Sequence, residues 1–220
     1  MAKLYFTYSS MNSGKSQNLL QANFNYIERD METMLWTASI ANRDGHGVVS
    51  SRSGTVAPAA VFDDKVNFLK TISNYLQDGG KLDAILIDEA QFLTVKQVSE
   101  LATIVDKFNI PVMCYGLRTD FMGELFEGSA RLLAIADEFK EAKSICFCGK
   151  KATMVLRVDN KGVAISSGDK VCIGAEDLYV SVCRRHHSEG LAGEITLSKN
   201  NSPNETKLKI AKPKQFKIFG

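Results

Sequence analysis

The sequence predicts an α/β fold built on a mostly parallel sheet flanked by helices, with a small β-rich, metal-binding second domain after it. Three observations carry that expectation. An apolar run, Leu4-Tyr5-Phe6-Thr7, leads into Ser13-Gly14-Lys15-Ser16 and out through a helical pattern. Short apolar runs then alternate with amphipathic stretches, the grammar of strands joined by crossover helices. Beyond about Cys146 that grammar stops, and Cys and His residues appear in two tight pairs.

The first observation is the most chemical. Residues 9–16 follow the phosphate-loop pattern G-x-x-x-x-G-K-[ST] except that its first glycine is Ser9. In such a loop the backbone N–H groups and the next helix's N-terminus point at phosphate oxygens, where the helix dipole favours negative charge. Lys15 then reaches the terminal phosphates and the Ser16 hydroxyl sits on Mg²⁺. Whether Ser9 takes the left-handed turn open to glycine depends on its φ. Leu20, Phe24 and Ile27, at i, i+4 and i+7, are expected to form the buried face of the helix.

Residues 34–38 read as a short buried strand. Residues 39–60, rich in Gly and Ser, read as one long loop. Asp63-Asp64 are expected to open a helix with Phe62, Val66, Leu69, Ile72 and Leu76 on one face, closed by Gly79-Gly80. Ala84-Ile85-Leu86-Ile87 is a continuous apolar run, as in a strand buried on both faces of a parallel sheet. A helix with Val98, Leu101, Ala102, Val105 and Phe108 on one stripe follows, then a strand at Val112-Met113-Cys114-Tyr115, a helix around Leu132–Ala136, and a last strand at Ser144-Ile145-Cys146. In the second domain a hairpin is expected about Asp159-Asn160-Lys161-Gly162, with short segments at 171–174 and 179–182. The predicted division is 1–145, 146–190 and a disordered basic tail over 191–220.

Asp88 and Glu89 directly follow the buried run at 84–87. Ligands of open α/β sheets bind outside the carboxyl ends of the strands. An acid at the end of a buried strand beside the phosphate-loop strand supports the Mg²⁺ site. Strand alternation points the two side chains differently, leaving Glu89 to take a proton from an attacking hydroxyl.

Cys146, Cys148, Cys183 and His186 supply two ligands from each of two short segments, the S₃N set that structural zinc favours. His187 is an alternative to His186. A domain with few core residues needs such a staple. The remaining cysteines, Cys114 and Cys172, read as structural.

Composition narrows the class. The formal net charge of +2 gives no reason to expect nucleic-acid binding by bulk electrostatics. No run approaches the ~18 apolar residues of a membrane span, and the opening residues lack a signal peptide's layout. A soluble cytoplasmic protein is therefore expected.

Taken together the segments resemble type II thymidine kinases, the cytosolic class, in their bacterial and phage branch. The resemblance covers roughly residues 1–190. It is carried by YSSMNSGKS, by residues 49–54, by IDEAQFL, by residues 115–126, by CFCGKKA and by YVSVCRRH. Serine at position 9 is similar to what bacterial relatives carry. The resemblance implies a P-loop, RecA-like fold and transfer of the ATP γ-phosphate to the 5′-hydroxyl of thymidine, with deoxyuridine also plausible as acceptor. It implies that Glu89 is the catalytic base. Ser9, Ser10, Met11, Asn12, Ser13, Gly14, Lys15 and Ser16, with Asp88, Glu89, Ala90 and Gln91, match ATP-binding segments. Arg43 matches a phosphate-contacting arginine, although the acid usual two positions before it is Ala41 here. Phe92, Leu117, Phe121 and Tyr179 match positions around the thymidine base. Val171, Cys172, Ile173 and Gly174 match a lasso that contacts it through the main chain. Mg²⁺ with ATP, structural zinc on the cysteine cluster, and a homotetramer are implied likewise. The rival reading is a P-loop ATPase that binds nucleic acid through a zinc module; it calls for a basic face, whereas the lysines concentrate in the tail.

Overall fold

The computed structural model describes all residues except 42–44, 160, 169–177, 194, 200–205 and 211–220. Contacts divide the chain into two units. The first holds residues 1–119 and 125–142, the second residues 120–124 and 143–220.

In the first unit the order is β1 (Leu4–Ser9), α1 (Lys15–Ile27), β2 (Thr33–Ala38), β3 (Val48–Ser50), β4 (Val56–Pro58), β5 (Ala60–Phe62), α2 (Phe68–Gln77), β6 (Ala84–Ile87), a 3-10 turn (Ala90–Phe92), α3 (Val95–Phe108), β7 (Val112–Leu117), α4 (Glu127–Ile135) and β8 (Glu138–Glu141). Six strands form one sheet in the order β5-β2-β6-β7-β1-β8. Every pair in it is parallel. All carboxyl ends therefore open on one edge.

Period-2 alternation sends successive side chains to two cores. Leu4, Phe6, Trp36, Ile85, Ile87, Val112 and Cys114 pack with Ile72 of α2, Val98, Leu101 and Ile104 of α3, and Leu132 of α4. Leu35, Ala84, Leu86 and Tyr115 pack on the other face with Leu19 and Leu20 of α1 and Val49 of β3. All four residues of β6 are buried, which is why its sequence shows no alternation.

Several sequence expectations need correction. The buried residues of α1 are Leu19, Leu20 and Asn23, whereas Phe24 and Ile27 are 56% and 54% exposed. Buried Asn23 hides the true stripe; its Oδ1 accepts the Thr33 hydroxyl at 2.6 Å. The stretch read as one loop contains the β3–β4 hairpin and β5, strands of three residues each, too short to register as a pattern. Helix α2 starts at Phe68, capped by Asn67, whose side chain accepts the Lys70 N–H at 2.7 Å. Phe62 belongs to β5. The Asp63 and Val66 carbonyls instead accept the side-chain amide of Gln97 in α3, at 2.7 and 3.0 Å. One of the sheet's two edge strands is β8, whose Glu-Phe-Lys-Glu reads as surface. Charged residues blunt an exposed edge, and Lys3 pairs with Glu138 there at 2.6 Å. Residues 144–145 pair with 151–152 and not with this sheet.

The second unit contains β9 (Ser144–Ile145), β10 (Lys151–Ala152), β11 (Met154–Val158), β12 (Leu178–Val182), α5 (Arg184–Ser188), β13 (Ile195–Lys199) and β14 (Thr206–Ile210). Strand β11 pairs antiparallel with β12. The turn after it closes through Asp159 N–H to Val163 O and Gly162 N–H to Asp159 O, each at 3.0 Å. Its core is small: Cys146, Ala152, Leu156, Val158, Val180, Val182, Cys183 and Ala192. Within the stretch expected to lack order, β13 and β14 pair antiparallel, with Ile195 opposite Ile210 and Leu197 opposite Leu208. That short alternation is masked by the surrounding polar residues. Among the described residues no helix is long and apolar enough to cross a membrane.

Candidate active site

The phosphate loop joins β1 to α1 at the carboxyl edge of the sheet. Ser9 closes β1 in register with Leu117. It is absent from the residues with positive φ, so the motif's first position needs no glycine here. The left-handed geometry falls instead on Asn12, at φ 62°, and on Gly14, at φ 78°. Asparagine tolerates that region better than most side chains. A web of serine hydroxyls holds the loop: Ser9 Oγ donates to Ser10 O at 2.7 Å and bonds Ser13 Oγ. Lys15 folds back over it, donating from Nζ to Ser9 Oγ at 2.9 Å and to Ser10 O at 3.1 Å. Burial of the ammonium lowers its pKa, while Glu89 and Asp88 pull it back up.

Ser16 links this loop to the acidic pair, donating from Oγ to Asp88 Oδ2 at 3.2 Å. The acidic strand β6 is not beside β1, as the sequence suggested; β7 lies between them. Two strand spacings, about 9.6 Å, thus separate the strand axes, and side chains bridge the gap. Asp88 is buried, with its N–H on Trp36 O at 2.8 Å. Burial raises its carboxyl to about 7, and the Glu89 charge pushes the same way; the Glu89 N–H, the Ser16 hydroxyl and Lys15 oppose them.

Glu89 adopts φ 53°, ψ 39°, a left-handed conformation that ends strand alternation and starts the 3-10 turn. It therefore leaves the strand by a backbone reversal and not by simple period-2 geometry. Gln91 donates from Nε2 to Glu89 Oε2. Phe92 meets Phe126 edge-on, their ring centroids 6.0 Å apart. Leu117 is half-buried at the end of β7. Sequence reasoning missed Gly116 and Gly128: a Cβ on Gly116 would lie 2.8 Å from Gln91 Oε1, and one on Gly128 would lie 2.5 Å from Leu93 O. Both let the turn pack tightly, and only Gly116, directly after the apolar run at 112–115 and inside β7, left a sequence signal.

In the second unit Cys146, Cys148, Cys183 and His186 bring their ligand atoms within 4.8 Å of one another. Cys146 Sγ lies 3.2 Å from His186 Nδ1, and Cys148 Sγ 4.0 Å from Cys183 Sγ. A tetrahedral zinc with bonds of about 2.3 Å needs ligand separations of about 3.7 Å, so the set fits that ion. His187 is engaged elsewhere, with Nε2 2.8 Å from the Phe121 carbonyl. A carbonyl only accepts, so Nε2 carries the proton. Phe147 stacks on His186 at 4.3 Å, and the turn of Gly149 N–H to Cys146 O, at 2.8 Å, shapes the first pair. Phe121 is buried under the Arg157 guanidinium, 5.3 Å from its centroid; Tyr179 is half-buried on β12. Arg43, Val171, Cys172, Ile173 and Gly174 lie outside the described residues.

The family described as thymidine kinase matches residues 2–187. The thymidine kinase of Aliivibrio fischeri is 56% identical over 191 residues, 87% of this chain and 99% of that protein. That of Novosphingobium aromaticivorans is 55% identical over 193 residues, 87% and 99% of the two chains. That of Yersinia pseudotuberculosis is 53% identical over 191 residues, 87% and 97%. Among solved structures, the Legionella pneumophila ATPase DotB aligns with 86% of this chain and 47% of its own at 13% identity and a TM-score of 0.32, too distant to carry an argument.

Proposed function

The chain belongs to the thymidine kinase family, and from that premise we propose how its own residues move the ATP γ-phosphate to the 5′-hydroxyl of thymidine. One observation carries the proposal: the hydrogen bond from Ser16 to Asp88 joins the phosphate loop to the acidic pair across 72 residues of sequence. Phosphoryl transfer asks for positioning and charge neutralisation more than for covalent help. Lys15 exchanges its bonds to Ser9 and Ser10 for phosphate oxygens, and their charge offsets the burial that lowers its pKa. The Ser16 hydroxyl would hold Mg²⁺ that arrives with ATP, and the ion would supply further neutralisation of the phosphates. Residues 9–16, Arg43 and residues 88–91 are the proposed ATP contacts.

Glu89 is the proposed general base. A primary hydroxyl is a weak nucleophile until a positioned group takes its proton, and the Glu89 carboxylate is half-buried beside Asp88. In the first unit Phe92 and Leu117 are proposed nucleoside contacts. In the second unit Phe121, Tyr179 and residues 171–174 carry the same proposal from the sequence resemblance alone. Zinc on Cys146, Cys148, Cys183 and His186 is proposed as a structural staple for a core that has eight buried residues among those described. A homotetramer and a cytoplasmic location complete the reading.

The test is product formation with ATP, Mg²⁺ and a panel of deoxynucleosides, run on the native protein and on Glu89→Gln. Thymidine and deoxyuridine should be phosphorylated and deoxycytidine should not. Glu89→Gln should lose about 10²–10⁴-fold in kcat while still binding ATP. Unchanged kcat in that variant removes Glu89 from the mechanism. DNA-stimulated ATP hydrolysis without nucleoside phosphorylation overturns the kinase reading.

A further inference from the structure

We propose that Gln91 is a positioning residue that aims the Glu89 carboxylate, an inference that rests on Glu89 as the base. Gln91 is 2% exposed. Its Oε1 accepts the backbone N–H of Leu117 at 2.9 Å. A backbone N–H can only donate, so that end of the amide is the oxygen. The NH₂ is therefore turned to Glu89 Oε2, and the amide cannot flip without losing both bonds. Among the described residues no hydrogen bond ends on Glu89 Oε1, the oxygen left to receive the substrate's proton.

The surroundings fix Gln91 in turn. Leu117 is the last residue of β7, paired in register with Ser9 of the phosphate-loop strand. Its carbonyl accepts the Ser129 hydroxyl at 2.5 Å. Gly116 lets β7 approach the turn so closely that a Cβ would lie 2.8 Å from Gln91 Oε1 and 2.9 Å from Gln91 N. Gly128 does the same from α4, where a Cβ would lie 2.7 Å from Ala90 O and 3.1 Å from Gln91 O. Glu89 itself sits in the left-handed region at φ 53°, a conformation that side chains adopt only when neighbours over-determine it. The base thus stands on a strained residue, and a buried amide registered to the phosphate-loop strand restrains its carboxylate.

Gln91→Glu separates the two jobs of the amide. It keeps an acceptor for the Leu117 N–H and nearly the same volume, but it loses the donor to Glu89. Gln91→Met loses both and serves if the extra carboxylate prevents folding. Steady-state kinetics, ATP affinity and thermal unfolding are measured on each variant. We expect kcat to fall about 10- to 100-fold in whichever variants fold, a loss that persists at saturating ATP, with KM for thymidine close to wild type. Wild-type kcat in a folded variant overturns the inference, as does a loss confined to KM. Wild-type kcat in Glu89→Gln overturns instead the reading on which it rests.

Discussion

Gly116→Ala is the substitution whose consequences the structure defines most closely. The added Cβ would meet Gln91 Oε1 at 2.8 Å, Gln91 N at 2.9 Å and Ala90 N at 3.3 Å, so two of the three contacts are backbone. Restoring 3.4 Å, the lower bound of ordinary contact, requires a shift of about 0.6 Å at the closest atom. The 3-10 turn is held from the other side by α4, where Gly128 leaves no slack. Overpacking a close-packed site costs about 1–3 kcal/mol. For a chain of this size each kcal/mol moves Tm by about 2–4 °C, which gives a fall of about 2–12 °C. The same shift moves the Gln91 amide and the Glu89 carboxylate, and a 1 Å misplacement can cost about 100-fold in rate, so kcat should fall about 10-fold or more. The assay pairs thermal unfolding with steady-state kinetics on thymidine. Gly79→Ala is the control: its φ of 87° makes it strained, yet no atom lies within 4 Å of its Cβ position. It should lose about 1–2 kcal/mol with kcat intact. If Gly116→Ala keeps wild-type Tm and kcat, the close approach of β7 to the turn does not govern the base.

Two further outcomes follow from the same geometry. The Asp88 carboxyl is raised from 3.8 to about 7, so the native state holds its proton more tightly than the unfolded chain does. Stability should therefore decline as pH rises from about 4 to about 7, by a few kcal/mol at most, and Asp88→Asn should flatten that slope in denaturant titrations without nucleotide. A slope unaltered by the substitution would assign it to other groups. Chelation of the zinc-replete protein, or Cys183→Ser, should release the metal and open the amides of β11 and β12 to hydrogen exchange, because two of the ligands, Cys146 and Cys183, belong to the core that packs those strands. Full protection in a verified metal-free sample would contradict the staple.

The features legible in the sequence were those with a local signature. Residues 84–87 are buried on both faces and so appear as an unbroken apolar run. The phosphate loop and the cysteine pairs announce themselves by spacing, and the structure brings the second set within 4.8 Å. What was misread depended on distant partners. Asn23 is buried because Thr33 satisfies it, which rotates the face of α1 away from Phe24 and Ile27. Strand β8 is polar because it is an edge. The place of β7 between β1 and β6 is a matter of topology, and no local pattern encodes it. Gln91 lies within a segment that matches ATP-binding residues, and no local pattern encodes its side-chain bonds to Glu89 and Leu117.

Residues 120–124 lie between two elements of the first unit but pack with the second. The bridge of Thr119 to Leu125 closes the excursion at its base. Beyond it Phe121 sits under Arg157 and offers its carbonyl to His187. The chain thus enters the second unit once before it enters for good at residue 143. A truncation after residue 142 would not yield a clean nucleotide-binding fragment. It would leave a bared phenylalanine at the tip of a closed loop, a seed for self-association. Recombinant swaps of the second unit between relatives must carry both pieces, because the two stretches pack as one unit.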